Sequence, residues 1–328
     1  MGRYAQRRAT RGLDPGFGGW WTEAKLGILE KYLNAFNVAS KNAGATVYLD
    51  LFAGRVLNRR PDTNSLYFGS SGIAMKADPP FNRLVFWELT SAAIELESQL
   101  RVHFPKDNRA QIIRGDCNSF LQSGLALVND LRWAPTFAFV DPKGLDVNWT
   151  TLEQLSKWRR GKWKTELWVL FPETAFARVL GLDGEMGFRV EERLSTVFGS
   201  DRWRSIDGRR KSGELDAAQA RAEYVNLIRW QLETDLGYKW THALGLSNVS
   251  GHPVYTMIFA TDNNTGHEIM SDVYGSAGVR EIPELRSRAL AARSQRRDAE
   301  KGIYAMFEVI PQVDAQNYEH EPPWEPPD

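Results

Sequence analysis

Four carboxylates in the first half of the chain each close a short apolar run. In open parallel sheets that is the position where ligands are met. Asp50 ends Thr46-Val-Tyr-Leu-Asp50 and leads into Leu51, Phe52, Ala53 and Gly54. Glu88 ends Arg83-Leu-Val-Phe-Trp-Glu88 and is followed by Leu89. Asp116 ends Gln111-Ile-Ile-Arg-Gly-Asp116, with Cys117 and Asn118 after it. Asp141 ends Thr136-Phe-Ala-Phe-Val-Asp141 and opens Asp141-Pro142-Lys143-Gly144. Each suits a different polar group. Asp50 can accept from an ammonium, Glu88 can hold two ribose hydroxyls, and Asp116 can accept from an adenine amine. Asp141, with Pro142 and Lys143, stands where a substrate would meet a bound donor. Gly54 lets the backbone pass close to a ligand. In Gly69-Ser70-Ser71 a serine can cap a helix and aim its amides at a ligand carboxylate.

These residues need strands to present them. The near-continuous apolar runs ending at Asp50, Glu88, Asp116, Asp141 and Pro172 suit strands buried on both faces. Helical spacing separates them, as in Ser91–Phe104 and in Leu152, Leu155 and Trp158. Trp240–Leu246 and Val254–Thr261 are divided only by the turn-rich stretch 247–253, too short for a crossover helix, so an antiparallel hairpin is predicted. Five helix-alternated strands plus a hairpin give an α/β, Rossmann-like, seven-stranded and mostly parallel sheet. That is the plan of the class I S-adenosylmethionine (SAM) dependent methyltransferases. Helices are predicted at Trp20–Phe36, Phe188–Phe198, Ala217–Leu236 and Glu284–Lys301. The expected organisation is a basic mobile tail over 1–19 and a methyltransferase-like domain over 20–275 with a helical insertion at about 173–236. A basic helical extension over 276–310 and an acidic, proline-rich tail over 311–328 complete it. Trp324, set among prolines in that tail, reads either as solvated or as docked on a partner.

Composition narrows the class. With 42% hydrophobic residues, 25% charged, and 41 cations against 41 anions in 328 residues, the chain is neither disordered nor fibrous. A single cysteine, Cys117, excludes a disulfide scaffold and any multi-cysteine cluster, and Cys117 itself reads as packing. Five histidines are scattered without ligand spacing, so no metal is expected. No apolar run nears the roughly 18 residues of a membrane helix. Residues 1–8 lack the apolar core of a signal peptide, so a cytoplasmic setting is expected. A dinucleotide site is disfavoured: G-x-G-x-x-G is missing after the first strand, and a long polar loop, Leu57–Phe68, stretches the interval from Asp50 to Glu88.

Several of these stretches together resemble the three-Cys-motif partner protein family. They are Trp21-Thr-Glu-Ala-Lys25, Tyr48-Leu-Asp-Leu-Phe-Ala-Gly54, Gly69-Ser-Ser-Gly-Ile-Ala74 and Phe86-Trp-Glu88. Gly115-Asp-Cys-Asn118, Phe139-Val-Asp-Pro-Lys-Gly144 with Trp149, Leu170-Phe-Pro172, His252-Pro-Val-Tyr255 and Phe259-Ala-Thr-Asp262 extend the likeness over about residues 20 to 275. The resemblance implies a methyltransferase-like fold, SAM as cofactor, and a three-cysteine-motif, radical-SAM-like protein as partner. On a methyltransferase reading Trp21, Lys25 and Trp149 are expected on the substrate side. Two positions depart from the family pattern: Arg55-Val56 where Pro-Gly often follows, and Lys143 where an aromatic residue usually follows Asp-Pro. Amino methyltransferases acting on nucleobases resemble this site. They hold the exocyclic amine on the acidic residue and a prolyl carbonyl, and stack the base on the ring that Lys143 replaces.

Two basic segments, Lys157–Lys164 and Arg202–Lys211, interleave cations with Trp158, Trp163 and Trp203. They read either as DNA- or RNA-contacting patches or as solvated helix ends over core tryptophans. Three readings of the whole stay open. They are a SAM-dependent methyltransferase acting on nucleic acid, a catalytically weak binding partner of the same fold, and a nuclease holding magnesium on Asp50 and Asp141.

Overall fold

The computed structural model describes residues 16–17, 19–60, 63–173, 175–176, 188–300 and 313–326. Most of the expected 1–19 tail, much of the segment after Pro172, and residues 301–312 lie outside the described residues.

Among the described residues the first elements are β1 (Gly16–Phe17) and α1 (Trp20–Ala39), whose Leu26, Leu29, Leu33 and Phe36 are all buried. β2 (Val47–Asp50) follows. Then come two three-residue strands, β3 (Leu57–Arg59) and β4 (Leu66–Phe68), and the short helix α2 (Ser70–Lys76). Strand and helix next alternate: β5 (Arg83–Glu88), α3 (Thr90–His103), β6 (Ala110–Arg114), α4 (Cys117–Ala126), β7 (Thr136–Val140), α5 (Trp149–Trp158) and β8 (Glu166–Phe171). Between β8 and the hairpin β9 (Trp240–Ser247) and β10 (Pro253–Thr261), the described residues include the helices α6 (Phe188–Phe198), α7 (Trp203–Lys211) and α8 (Ala217–Thr234). The capping box of Asp216 and Gln219 starts α8. α9 (Asn264–Ser276) runs through one π turn into α10 (Ile282–Glu300).

The main sheet has the order β6-β5-β2-β7-β8-β10-β9, with β10 antiparallel to both neighbours and the other pairs parallel. This is the class I methyltransferase fold. Alternation along each strand divides the core in two. Val47, Leu49, Trp87, Ala138 and Val169 face α4 to α8, whereas Tyr48, Phe86, Phe137, Phe139 and Trp168 face α1 to α3 and α9. The strand order reverses between β2 and β7, and their carboxyl tips carry Asp50 and Asp141.

Several local expectations are corrected. The loop over Leu57–Phe68 contains the β3–β4 hairpin, which joins β1 in a separate three-stranded sheet. Its strands, three residues each, are too short to show a period. Neither Ser70 nor Ser71 caps α2: the N-cap is Gly69, and Ser70 Oγ turns back to the Ala53 carbonyl at 3.3 Å. The C-terminal run, read as a free tail or a partner-docking element, packs on its own chain over 313–326. Trp324 exchanges hydrogen bonds with Asn226 at 2.8 and 3.0 Å and donates its indole N–H to Glu223. Those partners lie on α8, some hundred residues earlier, where no local pattern announces them.

Candidate active-site cavity at the strand tips

A cavity of about 770 Å³ opens at the carboxyl ends of β2, β5, β6 and β7. That size is within the range of pockets that take a cofactor or substrate. Phe52, Ala53, Gly54, Gly69, Ser70, Glu88, Leu89, Asp116, Cys117, Asn118, Asp141, Pro142, Lys143 and Lys25 all line it. Thus most of the residues singled out from sequence converge on one space. Asp50, Trp21 and Trp149 do not.

Glu88 is the best-placed polar group. Its two oxygens accept the Gly54 and Leu89 amides, each at 2.8 Å, locking the carboxylate between the tips of β2 and β5. Each oxygen keeps a second lone pair. Leu89 beside it is 61% exposed, an apolar surface left uncovered at the cavity rim. Gly54 has φ +61°, which a residue with a side chain resists, while a Cβ there would meet nothing closer than 3.9 Å. Its requirement is therefore a backbone turn.

Asp116 and Asn118 are occupied by the protein itself. Asp116 caps α4, with Oδ1 accepting from Asn118 N and Nδ2 and Oδ2 from Ser119 N and Oγ, at 2.9 to 3.2 Å. Asn118 donates to the Asp146 carbonyl and accepts from Asn148 N and Thr151 Oγ1, tying α4 to the loop after β7. Cys117 is buried, and burial pushes its thiol up to about 12, so it stays a protonated thiol in the cavity wall.

Asp50 sits beneath the cavity floor, fully buried. Its carboxylate accepts from Tyr48 OH and Phe52 N, both at 3.2 Å. Burial pushes its pKa up to about 7, with Asp141 adding to the rise and Ser70, Phe52 and Tyr48 opposing it. It therefore organises the β2 tip and does not line the cavity. Trp149 is core, packed so closely that a Cβ on Gly199 would lie 2.3 Å from its ring. Trp21 lines a neighbouring cavity of about 740 Å³ with Trp20, Arg288, Arg293, Arg296 and Arg297.

Lys25 closes the far side of the candidate site. Its ammonium, almost fully buried, pairs with the Asp141 carboxylate and lies 5.9 and 5.6 Å from the Phe139 and Tyr255 ring centres. Tyr255, which also lines the cavity, donates to the Trp21 carbonyl at 2.8 Å. No role was assigned to Tyr255 from sequence, although His252-Pro-Val-Tyr255 was among the matched stretches. Lys143 is exposed at the rim. The magnesium reading finds no support in this arrangement, since Asp50 is closed off and Asp141 faces an ammonium.

The basic segments fall elsewhere. Lys157–Lys164 joins α5 to the amino end of β8, the opposite edge of the sheet from the cavity, and Trp158 is core. In Arg202–Lys211 the charges are met within the chain. Arg202 pairs with Asp235, Arg204 with Glu191 and Asp201, Arg209 with Glu214 and Lys211 with Asp207, while Trp203 is fully buried. The histidines are not scattered in space: His242, His267 and His320 place one ring nitrogen each within 4.8 Å of the others. Among the described residues no helix is long and apolar enough to cross a membrane.

No protein-family model and no curated protein matches the chain. Solved structures share parts of it. A candidate methyltransferase from Escherichia coli, yhhF, is 19% identical over 38% of this chain and 58% of its own, with a TM-score of 0.27. A Legionella pneumophila protein is 12% identical over 76% and 90%, with a TM-score of 0.42. A candidate caffeoyl-CoA O-methyltransferase from Staphylococcus aureus is 12% identical over 70% and 81%, with a TM-score of 0.37. The strand order assigns the class I methyltransferase fold.

Proposed function

We propose that the cavity binds S-adenosylmethionine, and that the protein is a methyltransferase acting on nucleic acid in company with a three-cysteine-motif, radical-SAM-like protein. The observation that carries the cofactor reading is Glu88. A carboxylate fixed by two backbone amides, with a lone pair left on each oxygen, suits a ribose diol at the second strand tip. Leu89 and Cys117 supply apolar walls for an adenine, and the Ala53–Gly54 backbone lies alongside. When bound, the cofactor supplies an electrophilic methyl group. Asp141 and Pro142 hold the acceptor amine at that end and orient its lone pair. Lys25 must first yield its place on Asp141. The cleft of Trp21 and the α10 arginines supports a nucleic-acid strand as substrate, since an aromatic face stacks on bases and arginines meet phosphates. Trp21 and Lys25 are one helical turn apart on α1, which joins that cleft to the cavity.

Calorimetry with SAM and with its demethylated product tests the cofactor reading. The wild type should bind both, and Glu88→Ala should bind at least about 10-fold more weakly, the equivalent of one or two hydrogen bonds to a charged group. A wild type that binds neither ends it. Transfer of a labelled methyl group to DNA, RNA or the partner tests the reaction.

A second reading has its own support. The Lys25 ammonium stands where an acceptor amine would bind Asp141, and Lys143 offers no stacking face. Both favour a cofactor-binding partner protein without transfer activity. Cofactor binding and co-purification with the three-cysteine-motif protein, with no transfer to any of the three acceptors, would select it.

A further inference from the structure

Three of the five histidines meet at the last edge of the sheet, far from the strand-tip cavity in the fold's logic. His242 lies on β9 and is fully buried, His267 is on α9, and His320 belongs to the C-terminal segment. Their ring centres are 4.7 to 5.0 Å apart, and His242 Nε2 is 2.9 Å from His267 Nδ1. No other group of three potential ligands of this kind is present among the described residues.

We propose that His242, His267 and His320 form a three-histidine site for a divalent transition-metal ion, zinc, which fastens the C-terminal segment onto β9 and α9. Imidazole is a favoured ligand of zinc, and three such ligands with an open fourth position make a recognised zinc set. In a tetrahedron with zinc–nitrogen distances of about 2.0–2.1 Å, ligand nitrogens stand roughly 3.3 Å apart. The observed separations need only small ring movements to reach that value.

The surroundings suit ligands. His320 Nε2 is buried and has no hydrogen-bond partner, so its lone pair has nothing else to do. The His242 Nδ1 contacts the Tyr318 hydroxyl, which leaves Nε2 free to ligate when the tautomer is set that way. His242 is fully buried, a setting that favours the neutral imidazole over its charged form, and the neutral ring is the form that binds metal. Loading zinc replaces the His242–His267 hydrogen bond. The proton on that bond moves to the other nitrogen of its own ring, so no net charge is lost. The nearby cations are Arg229 and Lys239. Arg229 is committed to Thr241 and to the Glu321 carbonyl, with Glu233 beside it as counter-charge, and the Lys239 ammonium lies 4.1 Å over the Trp240 ring.

The consequence is a clasp. β9 is an edge strand, and residues 313–326 cover its neighbourhood through Tyr318, His320 and Trp324. A metal bridging strand, helix and segment would hold that cover in place. This inference does not depend on what the strand-tip cavity binds.

The experiment strips the full chain with chelator and titrates it with zinc chloride by calorimetry, with hydrogen exchange of residues 313–326 followed in parallel. One zinc per chain at a Kd of about 1 μM or tighter is expected, together with slowed exchange in the segment. His267→Ala and His320→Ala should each weaken binding by more than about 100-fold, beyond the 10- to 100-fold usual for an outer-shell partner. Tyr318→Phe should fall within that smaller range, and His252→Ala, remote from the cluster, should leave binding unchanged. His242 is avoided because its replacement opens the core. Absence of zinc binding at about 100 μM, or unaltered binding in both His267→Ala and His320→Ala, would overturn the proposal.

Discussion

The Lys25 ammonium on α1 donates to the Asp141 carboxylate at the tip of β7, 116 residues further along the chain. The two side chains are 7% and 26% exposed, so the pair is largely shielded from water and its strength depends on both partners remaining. Lys25→Met leaves the carboxylate uncompensated. It should lower unfolding free energy by about 2–4 kcal/mol, read from the denaturant midpoint. Adding Asp141→Asn should restore most of the loss. A neutral single variant would mean that the pair contributes nothing to stability.

Leu89 is apolar and largely exposed on the rim of the same cavity, a position that gives the folded chain little. Leu89→Ala should change stability by less than about 0.5 kcal/mol. If the side chain flanks an adenine, affinity for the demethylated cofactor should fall by roughly 3- to 10-fold, in line with about 1 kcal/mol of apolar contact. Unchanged affinity would remove Leu89 from the site.

Glu166 lies at the amino end of β8, accepting from Tyr32 OH at 2.6 Å and Thr261 Oγ1 at 2.9 Å. Burial pushes its carboxyl up to about 7 in spite of those hydrogen bonds. Between about pH 4.5 and 7 the native state keeps a proton that the unfolded state has lost. This group's contribution to stability therefore falls as pH rises, by up to about 3 kcal/mol, and is level above pH 7. Glu166→Gln cannot ionise. The difference in stability between variant and wild type should move in the variant's favour from pH 4.5 to 8. A pH-independent difference would contradict the raised pKa.

Gly278, in the π turn between α9 and α10, receives the C-terminal segment: Gln316 N donates to its carbonyl at 2.9 Å. A Cβ at position 278 would fall 2.0 Å from the Gln316 carbonyl oxygen. Gly278→Ala should displace the segment and speed proteolytic cleavage within 313–326. The cooperative unfolding of the sheet should shift by no more than about 1 kcal/mol. Equal cleavage rates in variant and wild type would show that the segment adapts.

The main sheet was legible because its signal is local. Runs such as Arg83–Glu88 and Thr136–Val140 are apolar on both faces, and a strand buried between two helix layers has to be. The 247–253 stretch left no room for a crossover, which made the antiparallel hairpin readable too. The β3–β4 hairpin left no such trace, and neither did α7, whose mostly charged sequence hides two buried apolar residues, Trp203 and Ile206.

Residue types and order alone settled which side chains end the parallel strands, and thus which ones could gather at one rim. The folded chain settled what each is free to do there. Asp116 spends its lone pairs on its own helix, Asp50 lies under the floor, and Asp141 has found Lys25. The histidine cluster belongs to the same category, since His242, His267 and His320 come from a strand, a helix and a returning segment. Strand ends follow from short-range periodicity, whereas hydrogen-bond partners are distributed by packing between segments far apart in the chain, which no local pattern encodes.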